Sequence, residues 1–126
     1  MKQIIFLLSV LFILTNSFAQ QIPFSKRSIG NYYGVQPEYT VILDGNAIYI
    51  PEESQTIRLN YPDILLETGT RVFSGNYSIS AETKDYYALQ VRLDNGIIEE
   101  WRLYKKGKQL IRIEKTPRPE VTFTKK

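Results

Sequence analysis

The chain contains no histidine and no cysteine. The first absence removes Ser-His and Cys-His catalytic pairs and every imidazole metal ligand. The second removes disulfides, thiolate nucleophiles and cysteine-based metal knuckles. No glycine-rich phosphate loop or EF-hand spacing occurs either. What remains for acid–base work is carboxylate pairs, and these are poorly placed. Glu99 and Glu100 are neighbours in a strand pattern, so they point to opposite faces. Glu52 and Glu53 lie in a polar stretch, and Asp44 and Asn46 are accounted for by a turn. The inventory therefore predicts a non-catalytic protein with no cofactor and no metal site.

Charge of one sign is also lacking. Sixteen Lys and Arg stand against thirteen Asp and Glu, a formal net charge of +3. No basic stripe runs along any element, which argues against a nucleic-acid partner. Lys105, Lys106 and Lys108 cluster at a hairpin tip and read as solvated turn residues. Long apolar runs are missing beyond the first segment. There, Lys2 precedes an apolar core from Ile4 to Leu14, and a polar stretch ends in Ser17-Phe18-Ala19. This is the pattern of a signal peptide over residues 1–19, with small residues where a peptidase reads them. Its core falls well short of the ~20 residues that span a bilayer, so no membrane span is expected after cleavage. No cysteine follows the cleavage site to carry a lipid. The expectation is export to the periplasm or the medium, with residues 20–126 as one domain.

What is present is strand signal with frequent turns. Tyr86 to Glu114 reads as three strands joined at Asp94-Asn95-Gly96 and Lys105-Lys106-Gly107. A two-residue turn at Asn95-Gly96 would mix apolar and charged residues on both faces. A three-residue loop with Gly96 in the left-handed position sets Leu89 opposite Trp101 and Tyr87 opposite Leu103, which leaves one apolar face. The same design at Gly107 places Trp101 by Ile111 and Glu99 by Ile113. The other face then carries Tyr86, Tyr104, Arg102, Arg112 and Glu100 and is wet.

Before the meander, the sequence predicts a strand from Ile29 to Gly34. A hairpin follows over Tyr39–Leu43 and Ala47–Ile50, then a polar loop from Pro51 to Gln55. Thr56 to Tyr61 is a further strand. Ile64–Glu67 pairs with Arg71–Ser74, and Asn76–Ser80 leads into the meander through a five-residue loop. That loop sets Gly75 in the row of Glu99. Val121 to Thr124 is a last strand placed to return beside the first. No segment has helical periodicity. Sequential hairpins predict an all-β, up-and-down antiparallel meander closing into a barrel of about eight to ten strands, with a β-sandwich as the alternative.

Gly30-x-Tyr32 near the mature start, followed by a meander, resembles the opening of lipocalin-like barrels. That family carries Gly-x-Trp at this place, with a late arginine packed over the ring; here the aromatic is Tyr32 and the arginine is Arg112. The resemblance implies a secreted carrier of a small apolar ligand.

Two groups of residues stand out as sites. Glu99 breaks the apolar face: with Gly75 leaving space and Lys115 diagonal to it, it reads either as a rim ion pair or as a polar anchor in a pocket at the barrel mouth. Tyr86 and Tyr104, with Arg102, Arg112 and Glu100 nearby, read either as ordinary cross-strand packing or as a protein-binding face. The function expected is an exported small binding barrel of unknown ligand. The alternative is an inhibitor or immunity-type module using the Tyr86/Tyr104 face.

Overall fold

The structure is a computed structural model that describes residues 21–106 and 108–126. The expected signal segment, 1–19, lies outside them. Ten strands follow one another: β1 (Gly30–Gln36), β2 (Tyr39–Leu43), β3 (Asn46–Ile50), β4 (Glu53–Leu59), β5 (Asp63–Thr68), β6 (Arg71–Glu82), β7 (Tyr86–Leu93), β8 (Ile98–Tyr104), β9 (Gln109–Arg112) and β10 (Val121–Lys125). Eight of them close an antiparallel barrel in the order β1-β10-β9-β8-β7-β6-β5-β4. The wall is a meander closed by β1 against β10, as expected, and not a sandwich. β2 and β3 pair only with each other and leave the wall as an inserted hairpin. Asp44 and Gly45 turn it, both with positive φ (52° and 78°), the type I′ geometry that suits a twisted two-stranded ribbon. Among the described residues, no helix is long and apolar enough to cross a membrane.

Alternation fills the interior. Tyr32, Ile57, Leu59, Leu66, Leu89, Val91, Trp101, Leu103, Leu110, Val121 and Phe123 are all sealed from solvent. A small barrel of this strand number is just wide enough for side chains to fill, and the large rings do so. Gly34 makes room for Phe123, whose ring atom would lie 2.8 Å from a Cβ placed there. One end is plugged. The chain before β1 makes a single 3-10 turn at Lys26–Ser28 and tucks Phe24 between Tyr61 and Tyr87, with ring centroids 6.1 and 5.8 Å away. Tyr32 hydroxyl donates to the Ser28 carbonyl at 2.6 Å and ties the plug to the wall.

The first meander turn is as predicted. Leu89 lies opposite Trp101 and Tyr86 opposite Tyr104. Gly96 has φ 85° and Leu93 N–H bonds Ile97 carbonyl at 2.9 Å.

The second turn is not as predicted. β9 begins at Gln109, Lys108 just before it has a positive φ (51°), and Trp101 faces Arg112 rather than Ile111. Alternation then sends Leu110 and Arg112 inward and leaves Ile111 and Ile113 half-buried. Repeating the design of the first turn favoured the other register. What that repetition left out is the demand of Glu99, a lone inward carboxylate, for a charged partner across the strands.

β6 is one strand of twelve residues rather than two segments. It pairs Ile79 with Leu89, Tyr77 with Val91 and Gly75 with Leu93, with an irregularity between Ile79 and Ala81. The loop before β7 is thus shorter than the five residues predicted, and Gly75 is not in the row of Glu99. β4 also starts earlier than predicted, at Glu53.

Candidate functional site

The open end of the barrel is the end where β1, β5, β7 and β9 finish and β4, β6, β8 and β10 begin. There the inward positions change from apolar to polar. Gln36, Gln55, Thr68, Glu99, Arg112 and Arg118 are all buried. They surround a cavity of about 500 Å³, whose wall is completed by Leu66, Phe73, Leu93 and Ile97. Tyr39 and Ile50, the paired residues at the base of the β2–β3 hairpin, line it too, so the inserted ribbon forms part of the rim. Gln36 and Glu53 are paired below it and complete the wall.

Glu99 is the centre of this arrangement. Arg112 grips its carboxylate with two bonds, Nε to Oε1 and Nη2 to Oε2, each 2.6 Å. Trp101 Nε1 donates to Oε1 at 2.8 Å. Arg118 Nη2 stands 3.8 Å from the same oxygen. Burial by itself would push the Glu99 carboxyl up. The Arg112 bonds and charge, the indole N–H and the Arg118 charge outweigh that and hold it below its ordinary value. The paired fork geometry is the strongest form of such a contact.

Arg118 arrives by a tight turn. Lys115 and Arg118 exchange backbone hydrogen bonds at 3.0 and 2.8 Å, which folds the Thr116-Pro117 segment back on itself and aims the guanidinium inward. Its Nη1 and Nη2 donate to the Pro119 and Ile113 carbonyls at 2.9 and 2.7 Å. Burial and the like charge of Arg112 both lower its pKa, partly offset by Glu99. One carboxylate thus faces two buried guanidiniums.

On the opposite wall, Gln55 Nε2 donates to Gln36 Oε1 at 3.2 Å. Gln55 Oε1 is buried with no partner among the described residues. Unpaired buried polar atoms are rare and cost about 1–3 kcal/mol, so each calls for a cause.

The residues expected here fare unevenly. Glu99 is at the mouth and buried. Lys115 does not pair with it: its Nζ donates to the Ile98 carbonyl at 2.8 Å, and Arg112 and Arg118 take its place. Gly75 leaves no space beside Glu99. A Cβ there would sit 2.1 Å from the Arg92 carbonyl oxygen, so the glycine marks a close approach of β6 and β7. It borders instead a larger concavity of about 670 Å³ on the outer wall, shared with Arg58, Asn60, Asp63 and Arg92. That groove is open to solvent and holds none of the buried polar cluster, so the mouth is the better site.

On the outer face, Tyr86 and Tyr104 pack with ring centroids 5.4 Å apart, and Arg102 lies 4.8 Å over the Tyr86 ring. All three are half-buried, and Glu100 is exposed nearby. Arg112 does not belong to this face, because the register of β9 turns it into the barrel, 6.0 Å from the Trp101 ring. Ile111 takes its outward place beside Arg102.

Sequence reasoning missed Arg118, Gln36 and Gln55. The two glutamines were legible: Tyr32, Gly34, Gln36 and Gln55, Ile57, Leu59 each continue an inward alternation. Arg118 was not, since nothing local sets which way a turn aims its side chain. Compared with known protein families, curated proteins and solved structures, the chain matches none of them.

Proposed function

We propose that this is an exported, non-catalytic barrel of lipocalin-like form that holds a small ligand in its open mouth. The observation that carries the reading is the half-filled interior. One end is plugged and packed with rings, whereas the other keeps a cavity of about 500 Å³ with polar groups converging on it. A concave recess where placed polar groups converge beside apolar side chains is the form of a small-ligand site. The apolar wall gives affinity, and the buried polar cluster sets orientation.

The test is extraction of small molecules from protein recovered from its native envelope or medium, beside Thr68→Phe, which places a ring in the cavity. The wild type should return a bound small molecule and Thr68→Phe should not. The same sample should begin at Gln20 or Gln21 by mass spectrometry; a chain still carrying Met1 to Ala19 would overturn export with cleavage.

A second reading rests on the stacked Arg102, Tyr86 and Tyr104 cluster, a stiff aromatic–guanidinium surface of the kind enriched in protein contacts. If the extract is empty and a protein partner co-purifies that Tyr104→Ala releases, this second reading replaces the first.

A further inference from the structure

We infer that the ligand of the mouth is a small organic carboxylate that also bears an amide or hydroxyl group, seated with its acid on Arg118 and its second polar group on Gln55. This rests on the reading of the mouth as a ligand site and adds the chemistry of the ligand.

Two independent observations support it. The first is charge. Arg112 spends two donors on Glu99, and the carboxylate has its third bond from Trp101. Arg118 is left 3.8 Å from the nearer carboxylate oxygen, with only two of its donors spent, both on neutral carbonyls. A guanidinium carries five N–H donors. The remaining ones belong to a buried cation without a full counter-charge, in a cavity it lines. Lys115 and Arg71 add positive charge to the lining and Glu53 adds one more carboxylate, so cations exceed anions there. An oxyanion of fork-matching shape completes such a site, and a carboxylate is the planar form that fits two parallel N–H bonds.

The second observation is Gln55. It is more than nine-tenths buried, lines the same cavity, and leaves its amide oxygen unpaired among the described residues. Reversing the Gln36–Gln55 pair would leave the nitrogen unpaired instead. An amide or hydroxyl on the ligand both donates and accepts, so it satisfies either setting. Leu66, Phe73, Leu93 and Ile50 supply the apolar wall for the body between these two ends.

The test uses matched pairs: N-acylated apolar amino acids and their carboxamides, titrated into ¹⁵N-labelled protein and followed by amide shifts. The acids should saturate shifts at Glu99, Arg112, Arg118 and Gln55, and should bind about tenfold or more tighter than the carboxamides, the scale of one charge-assisted fork. Arg118→Gln should remove that preference, and Gln55→Leu should weaken acid and carboxamide alike. Equal binding of acid and carboxamide at the mouth overturns the carboxylate while leaving the ligand site standing. No saturable shift at the mouth with any member overturns both. The acid–carboxamide comparison is made on the wild type, so it holds even if Arg118→Gln fails to fold.

Discussion

Glu99 shows how far a single residue can decide a fold's details. It was readable in the sequence as the one carboxylate on an apolar face. Its partner was not readable, because pairing by nearness favoured Lys115 and pairing by register favoured a wet Arg112. In the structure the carboxylate is all but sealed and triply bonded. Removing one partner of such a pair typically costs about 3–5 kcal/mol, because the other charge stays buried and unpaired. Glu99→Gln should therefore lower the unfolding free energy, measured with urea, by that amount, and Arg112→Met should do so comparably. The pH dependence follows from the depressed carboxyl. Its stabilising contribution is complete above the ordinary carboxylate value and is lost as pH falls through the lower folded value. Wild-type stability should thus drop steeply once pH falls below about 4, the ordinary range for Glu. The drop should be shallower in Glu99→Gln, measured by urea unfolding across an acid series.

At the scale of the element, the first meander turn was read correctly and the second was not. Gly96 has the left-handed φ expected of it and its hairpin has the predicted register, while Gly45, also left-handed, turns the hairpin expected between β2 and β3. Lys108, just before β9, has a positive φ, and no propensity would assign it there. Gly75 misled in a different way. It looked like a strand boundary and a vacancy, but it lies within the continuous β6 where that strand meets β7. The strand signal on either side was correct, and only the meaning of the missing side chain was wrong. Gly75→Ala would force a methyl into the Arg92 carbonyl, 2.1 Å away. We expect a loss of about 1–3 kcal/mol or more, with local changes in β6 and β7 amide exchange and little change at the mouth. A neutral Gly75→Ala would show that the close approach is not tight.

For the whole molecule, the barrel class was legible because it depends on counts: many short strands, frequent turns, no helical period, and a last strand free to meet the first. The inserted hairpin outside the wall was not, since β2 and β3 have the same local pattern as wall strands. Closure concentrates the risk in one element. β10 pairs with β1 over Tyr32 to Gly34 and with β9 over Gln109 to Arg112. Cutting the chain after Glu120 would leave two bare strand edges and remove Val121 and Phe123 from the core. Such a truncation should fail to fold cooperatively and should aggregate, seen as loss of the thermal transition and as light scattering. A soluble, cooperatively melting product would show that the remaining seven wall strands suffice.

Trp101 has a practical consequence of its own. It is the only tryptophan in the chain, fully enclosed, and its indole N–H is bonded to the carboxylate at the base of the mouth. Excited beyond the tyrosine band, it makes the protein a single-dye optical gauge. Its emission colour should follow the polarity of that one spot, and its lifetime the state of that one bond. Acid titration, filling of the cavity and loss of the fold can then all be read in one cuvette, with no label attached.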